Sequence, residues 1–357
     1  MMHKPFYDPA KSYEENFLEG PFGDFADGKA LAQIGEPKHS FLGHAVYEPF
    51  GIPSGPLLNA TFVKAAFEKG FDIATYKTVR SREYACADWP NVLAVDVQGD
   101  LSLRALTDGV VTKESYESPL SITNSYGVPS KDPSFWQEDM RQALKSAGKG
   151  QVMIGSFQGT SSGDGNFETY LKDYVLAARL VKETGAKILE ANLSCPNEGK
   201  ALLLCYDIPR VLEIASAIKE EIGNTPLILK LGYFENQEQL ETLVTSVGGI
   251  VEGLATINTI PAKVLTTAGD QALPGKGREV SGICGESIRW AGLDMVARLT
   301  KLRSKHNMNF SIIGVGGVSS ASDYVNYRSA GADAVMSATA AMWNPYLARE
   351  IKEYKES

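Results

Sequence analysis

Hydrophobic and polar positions divide the chain into two parts near residue 41. Residues 1–40 are polar and irregular, whereas the rest alternates short apolar runs with longer stretches of helical period. Repeated β–α units over about 300 residues are typical of an α/β fold. We therefore predict an N-terminal arm or cap at residues 1–40 and one α/β domain at 41–357.

Eight short apolar runs predict strands, and polar residues or glycines follow nearly all of them. A (β/α)8 barrel, the TIM barrel, has such signals at the ends of all its strands, whereas a doubly wound open sheet concentrates them at one switch point. The pattern therefore favours a TIM barrel with an N-terminal extension. The predicted strands are 56–58, 71–77, 152–157, 188–193, 227–231, 250–257, 310–315 and 334–337.

Helices are predicted in the intervals between the strands. One spans 167–184 with its apolar residues on one face. A second runs from 207 to 223, with Asp207 as its cap and Pro209 in its first turn. The remaining predicted helices are 287–306 and 320–330.

Composition excludes some classes of function. Lys plus Arg number 35 and Asp plus Glu 43, a net charge of −8 that argues against a general binder of nucleic acid or of anionic membranes. No apolar run approaches the roughly 20 residues of a membrane span, and the first residues lack the apolar core of a signal peptide. We expect a cytoplasmic protein with no nucleic-acid or membrane partner.

Cysteines and histidines restrict the chemistry further. The four cysteines contain no CxxC pair, so we predict reduced thiols and no metal site. Three of the four histidines, His3, His39 and His44, lie in the N-terminal part of the chain. If the chain is an enzyme, we expect its acid or base to be another residue type.

Candidate catalytic groups lie at the predicted strand ends, where barrels carry their active sites. Cys195 lies between Asn192 and Asn197, and a partly exposed thiol there can act as base or nucleophile; the alternative is a small buried hydrophobe. Asn124 and Asn258 follow other strands. Asparagine has both a donor and an acceptor, so these side chains suit a flat ligand such as a pyrimidine ring, or else cap turns.

Two lysines and two small-residue loops complete the candidate site. Lys77 and Lys230 end apolar strands, where a fixed ammonium could stabilise an anionic ring or a carboxylate. Gly316-Gly317 and Ala338-Thr339 follow the last two predicted strands. Loops at these positions of a barrel commonly bind phosphate through backbone N–H groups. The alternative is that the glycines serve only as turns.

An ordered set of motifs extends over about residues 45–350. It consists of Ser54-Gly55, Lys77-Thr78, Asn-Ser-Tyr-Gly-Val-Pro at 124–129, Asn-Leu-Ser-Cys-Pro-Asn at 192–197, Leu-Lys-Leu at 229–231, Asn258-Thr259, Gly-Ile-Cys-Gly at 282–285, Gly-Val-Gly-Gly at 314–317 and Ala338-Thr339. This set closely resembles the class 1 dihydroorotate dehydrogenases, which are cytosolic and FMN-dependent. The whole set is specific, although no single piece is.

The resemblance implies that residues 41–357 form an FMN-binding catalytic barrel that oxidises dihydroorotate in pyrimidine biosynthesis. It implies that Cys195 takes a proton from C5 while hydride passes from C6 to flavin N5, with Lys77 and Lys230 as further catalytic residues. The substrate-binding residues would be Lys77, Asn124, Gly127, Val128, Asn192, Asn197, Asn258 and Thr259. The FMN-binding residues would be Ser54, Gly55, Lys77, Thr78, Asn192, Lys230, Ile257, Gly285, Gly316, Gly317, Ala338 and Thr339.

One departure from the family pattern keeps alternatives open. The family usually has Gly-Asn-Pro-x-Pro-Arg after its first lysine, but residues 87–92 read Ala-Asp-Trp-Pro-Asn-Val, without the arginine. The alternatives are a dihydropyrimidine dehydrogenase-like flavoenzyme that acts on a neutral pyrimidine with a partner subunit, and a non-catalytic FMN-binding barrel. The resemblance favours fumarate as electron acceptor and a homodimer, and leaves open NAD through a partner subunit. The role of residues 1–40 is also open.

Overall fold

Eight parallel strands form a closed barrel in the computed structural model, which describes residues 3–33, 35–163, 165–194 and 203–354. The last strand pairs with the first through Val335 and Phe50, which closes the barrel. The TIM barrel predicted from the sequence is therefore confirmed. In chain order the barrel strands are β1 (Phe50–Ile52), β2 (Ile73–Val79), β3 (Val152–Phe157), β4 (Ile188–Asn192), β5 (Leu227–Leu231), β6 (Gly253–Thr256), β7 (Ser311–Val315) and β8 (Ala334–Met336).

The first barrel strand differs from its prediction. Residues 56–58 lie in the loop after β1 and form no strand, so the prediction there is wrong. Gly51 interrupts the apolar pattern of β1, and an ideal Cβ built on it would lie 2.2 Å from the Ile73 carbonyl oxygen. The close approach of β2 therefore requires glycine at position 51, and this glycine breaks the apolar run by which β1 could have been predicted. The other seven predictions overlap observed strands, and 152–157 and 227–231 match them residue for residue.

Helices surround the barrel, and the cap predicted at Asp207 is present. Asp207 accepts a hydrogen bond from the Arg210 N–H, and Ser320 accepts one from the Asp323 N–H. The predicted helix at 287–306 begins as a 3-10 turn, Glu286–Ile288. Among the described residues, no helix combines the length and apolar character needed to cross a membrane. The barrel helices are Ala60–Glu68, Pro133–Lys145, Phe167–Lys182, Ile208–Ile222, Gln237–Val247, Arg289–Lys305, Ala321–Ser329, Thr339–Trp343 and Leu347–Glu353, and the short helix Ala105–Asp108 lies in an insertion.

A second sheet of five strands is inserted after β2 and β6. Its strands are Val92–Asp96, Val110–Lys113, Ser121–Asn124, Ile260–Leu265 and Val280–Gly285. Both insertions leave the C-terminal ends of barrel strands, so the second sheet covers that end. Asn124 therefore ends a strand of the second sheet, and its expected position at the end of a barrel strand is wrong. Its strand pairs with Val280–Gly285, in the register Asn124 to Gly282, a contact that local periodicity cannot reveal.

The barrel interior is apolar at one end and polar at the other. A hairpin, His39–Phe41 with His44–Val46, inserts buried Phe41 and Val46 among interior residues such as Ile73 and Ile228 at the N-terminal end. Further along the strands, the interior positions become polar and buried: Thr75, Ser156, Glu190, Asn192 and Lys230. Alternation along each strand keeps these side chains on the inner face. The candidate site residues therefore lie next to an apolar layer that fills the N-terminal end of the barrel.

The first part of the N-terminal arm packs on the C-terminal end of the barrel, where Tyr7 and Tyr13 line the cavity. The arm then runs to the other end, where the Leu31 N–H donates to the Glu68 carbonyl and Gln33 Nε2 donates to Asp72 just before β2. Its helix Tyr13–Glu19 begins at Ser12, which forms a capping box with Glu15. The Phe6 N–H donates to the Met342 carbonyl at 2.9 Å, and Asn59 Nδ2 donates to the Phe17 carbonyl at 2.8 Å. These anchors hold the first part of the arm over the polar end of the barrel.

Candidate active site

A cavity of about 1120 Å³, including its open mouth, occupies the C-terminal end of the barrel. Barrel loops, the second sheet and the N-terminal arm all contribute to its wall, and Tyr7 and Tyr13 come from the arm. Thirteen residues named from the sequence as site residues line it: Ser54, Gly55, Lys77, Thr78, Asn124, Gly127, Val128, Asn192, Lys230, Asn258, Thr259, Ala338 and Thr339.

Two lysines enter the cavity from different barrel strands, Lys77 from β2 and Lys230 from β5. Lys77 Nζ donates to the Pro129 carbonyl at 2.6 Å and lies 5.6 Å from the centre of the Tyr13 ring, a cation–π distance. Lys230 is buried, which lowers its pKa, while the charge of Glu190 raises it in part. Both ammonium groups are held where a ligand in the cavity would meet them.

Glu190 is a buried acid of the barrel interior that the sequence analysis missed. Its Oε1 accepts hydrogen bonds from Ser54 Oγ at 2.8 Å and from Ser156 Oγ at 3.1 Å. Its Oε2 is buried and has no hydrogen-bond partner among the described residues. The carboxylate partly compensates the buried charge of Lys230. An acidic residue inside the apolar strand β4 was the signal that could have found it.

Asn192 and Asn258 form an amide cluster with Gln158, whereas Asn124 bonds to a cysteine. Asn192 Nδ2 donates to Gln158 Oε1 at 2.8 Å, and Asn258 Nδ2 donates to Asn192 Oδ1 at 3.3 Å. Asn124 Nδ2 donates to Cys284 Sγ at 3.3 Å. The sequence thus named three asparagines that meet at one cavity, and missed Cys284 and Gln158. Cys195 and Asn197, the remaining residues of that prediction, lie outside the described residues.

A second cavity of about 400 Å³ adjoins the first and shares Asn258, Cys284, Val315, Ala338 and Thr339 with it. Gly285, Gly316 and Gly317 line this part. The backbone N–H groups of Gly316 and Gly317 donate to no acceptor within the described residues. These are free donors at the end of β7, the usual position of a phosphate site in a barrel.

Glycine is required in this loop. Gly317 has a φ of +67°, and an ideal Cβ on it would lie 2.6 Å from Arg289 Cβ. Tyr327, fully buried, donates its hydroxyl to the Gly316 carbonyl at 2.6 Å and so fixes the loop from behind. Ile257 lines neither cavity. Its side chain is buried, and its Cγ1 would lie 3.3 Å from an ideal Cβ built on Gly316, so it supports the loop.

The two adjoining cavities differ in the groups that line them. One end offers backbone N–H groups suited to an anion, and the other offers two ammonium groups and several amides suited to a flat ring with N–H and C=O groups. The fold and the site therefore define a (β/α)8-barrel protein with a candidate anion site next to a candidate site for a flat polar ring.

Comparison with known proteins identifies the family. Residues 111–356 match the family model described as dihydroorotate dehydrogenase. The chain is 36% identical over 362 residues to a dihydroorotate dehydrogenase of Dictyostelium discoideum, covering 97% of this chain and 96% of that protein. The chain belongs to the dihydroorotate dehydrogenase family, whose members are flavin-dependent.

Two bacterial relatives differ in their named electron acceptor. The catalytic subunit of dihydroorotate dehydrogenase B (NAD(+)) of Desulforamulus reducens is 28% identical and covers 68% of this chain and 74% of its own length. A putative dihydroorotate dehydrogenase A (fumarate) of Pediococcus pentosaceus is 31% identical, covering 50% of this chain and 57% of its own length. The family is therefore shared by enzymes named for both acceptors.

Proposed function

We propose that this chain oxidises dihydroorotate to orotate in pyrimidine biosynthesis, with FMN as its cofactor. The observation that carries the proposal is the pair of adjoining cavities, which share five lining residues: one has the backbone N–H groups of Gly316 and Gly317, and the other has the buried ammonium of Lys230. A ligand with a phosphate at one end and an electron-accepting ring at the other fits this arrangement. The membership of this chain in the dihydroorotate dehydrogenase family supports dihydroorotate as the substrate.

The residues present fit FMN. Gly285, Gly316, Gly317, Ala338 and Thr339 would hold the phosphate, and Ile257 would support that loop. Ser54, Gly55, Lys77, Thr78, Asn192 and Lys230 would hold the ring system. Lys230 is suited to stabilise negative charge on a reduced ring, because a buried ammonium acts in a low-dielectric environment.

The substrate would lie against the amide cluster. Asn124, Asn192, Asn197, Asn258 and Thr259 would bind the pyrimidine ring, and Lys77 with the backbone of Gly127 and Val128 would bind its polar edge. Cys195 would act as the base that removes the proton from C5. FMN, when bound, supplies the hydride acceptor for C6. Lys77 would also hold the substrate against the ring, since its ammonium is fixed by the Pro129 carbonyl.

For the second half of the reaction we propose fumarate as acceptor and a homodimer as the working form, on the resemblance to the self-sufficient members. The cytoplasmic location stays an expectation of the sequence.

The test is orotate formation by purified protein reconstituted with FMN, with dihydroorotate or dihydrouracil as substrate and fumarate or NAD as acceptor. We expect orotate with dihydroorotate and fumarate, and no turnover of dihydrouracil. Turnover of dihydrouracil without turnover of dihydroorotate would contradict the substrate. NAD-dependent turnover without fumarate activity would contradict the acceptor. Light scattering should give twice the mass of one chain; a single-chain mass would contradict the homodimer.

A further inference from the structure

One segment of the cavity wall has an unusual backbone. It follows the strand Ser121–Asn124 and ends at Ser130, which is paired with Tyr84. Gly127 has a φ of +76° and Val128 a φ of +55°. Glycine adopts such values freely, but a β-branched residue is a clear outlier there, and such residues persist only when their surroundings hold them.

Arg80 is the group that holds this segment. It is 2% exposed and follows β2 directly. Its Nε donates to the Val128 carbonyl at 2.9 Å, and its Nη2 donates to the Gly127 carbonyl at 3.1 Å. Its Nη1 donates to the Gly159 carbonyl and to Thr160 Oγ1, each at 3.1 Å, beyond β3. The planar guanidinium thus links the strained segment to the barrel on two of its edges.

The direction of these carbonyls sets the direction of the neighbouring N–H group. In a trans peptide the C=O and the following N–H point opposite ways, so the Val128 N–H points away from Arg80. It donates to no acceptor within the described residues, and Val128 lines the cavity. The adjacent Pro129 carbonyl is taken up by Lys77 at 2.6 Å. Cations therefore bind the three successive carbonyls, and a free N–H remains for a ligand.

We propose that Arg80 is a positioning residue for substrate: it holds Gly127 and Val128 so that the Val128 N–H binds the anionic edge of the pyrimidine substrate. This inference rests on the proposed function. Arg80 acts through the backbone of the segment and not by contact with the substrate. Its loss should weaken binding of the substrate and its product selectively, while FMN stays bound, because its proposed contacts other than Lys77 lie outside this segment and are not bonded to Arg80.

The test uses full-length protein loaded with FMN, and measures the Kd of orotate from the change in flavin absorbance. Arg80→Met keeps most of the side-chain volume and removes the four side-chain hydrogen bonds to described residues given above. We expect a rise in the orotate Kd of about 10- to 100-fold, the range for lost bonds to a charged donor. KM for dihydroorotate should rise by more than the flavin-reduction rate at saturation falls. Arg141→Met, a half-exposed arginine paired only weakly with Glu138 among the described residues, is the matched control and should match wild type.

A second substitution, Arg80→Lys, keeps the proposal testable if Arg80→Met folds poorly, and a double variant tests the backbone of Val128 directly. Arg80→Lys keeps the charge but cannot serve both carbonyls, so its orotate Kd should still rise about fivefold or more. Val128→Gly in the Arg80→Met background should recover at least about threefold of the lost affinity, because glycine adopts this backbone without strain. Variants that retain FMN with an unchanged orotate Kd would overturn the proposal. Equal loss of FMN and orotate binding in both Arg80 variants, or no recovery by Val128→Gly, would also overturn it.

Wild-type protein separates this outcome from the proposed function. If wild type binds FMN but neither orotate nor dihydroorotate, the proposed function fails and Arg80 has no substrate to position. If wild type binds orotate and the variants bind it equally well, only the inference about Arg80 fails.

Discussion

Tyr327 allows the phosphate end of the cavity to be loosened without any change to its lining. Its buried hydroxyl donates to the Gly316 carbonyl at 2.6 Å. That carbonyl and the Gly317 N–H belong to one planar peptide group, so the hydroxyl also fixes the direction of the N–H. Tyr327→Phe removes this contact, together with the longer one from the same hydroxyl to the Arg289 carbonyl at 3.4 Å, and keeps the ring that packs against Gly314.

The magnitude follows from the burial of the contact. Leaving a buried carbonyl without its donor costs about 1–3 kcal/mol. If about 1–2 kcal/mol of this free energy is needed to return the loop to its phosphate-binding conformation, the Kd of FMN rises about 5- to 30-fold. Substrate affinity of the FMN-loaded variant should stay within about twofold of wild type, since Tyr327 lies behind the phosphate loop.

The assay is titration of apoprotein with FMN, followed by quenching of flavin fluorescence. Tyr324→Phe is the matched control, because Tyr324 lies on the same helix, Ala321–Ser329, and donates its hydroxyl to Glu48 away from the cavity. The control should bind FMN within about twofold of wild type. An unchanged FMN Kd in Tyr327→Phe, or an equal rise in both variants, would refute the reasoning about the phosphate loop.

Three further predictions concern the ring-binding end. Cys195→Ala should retain FMN but slow flavin reduction about 10²- to 10⁴-fold in stopped-flow measurements; an unchanged rate would exclude Cys195 as the base. The rate of flavin reduction should decline at alkaline pH, at a pH below the usual lysine pKa of 10.5, because burial lowers the pKa of Lys230 and the ammonium loses its proton as pH rises through this lowered pKa. Lys230→Met should abolish this decline at alkaline pH. A decline that persists in Lys230→Met would contradict its assignment to Lys230. Tyr13→Leu removes the cation–π contact with Lys77, worth about 0.5–2 kcal/mol, and should raise the KM for dihydroorotate about 2- to 30-fold. Leu18→Ala is the control, because Leu18 is 78% exposed on the same helix, and it should leave this KM unchanged. Equal effects of the two substitutions would contradict a role for the arm at the site.

Local pattern was sufficient for the barrel and insufficient for the parts that cover it. Continuous apolar runs identify β3 and β5 residue for residue, because strands buried on both faces have no alternation to obscure them. The second sheet escaped prediction because its strands pair across long separations, as Ser121–Asn124 does with Val280–Gly285. Pairing of that kind leaves no periodic signal in either segment.

The same distinction separates the site residues that were found from those that were missed. Lys77 and Lys230 were identified because a charge at the end of an apolar strand is unusual in itself. Arg80 was missed because its carbonyl partners lie 47 and 48 residues away in a loop. Tyr13 was missed because nothing local links the arm to Lys77. Arg278 escaped notice for the same reason: it donates to the Asp88 and Pro90 carbonyls, in the stretch that departs from the family pattern, from 190 and 188 residues away.

An anaerobic absorption spectrum of the FMN-loaded protein, recorded before and after addition of dihydroorotate, tests the central claim most directly. The account predicts that the oxidised flavin bands bleach on addition of one equivalent and that orotate appears in the same amount. Bands that stay oxidised, or a protein that takes up no FMN, would contradict it.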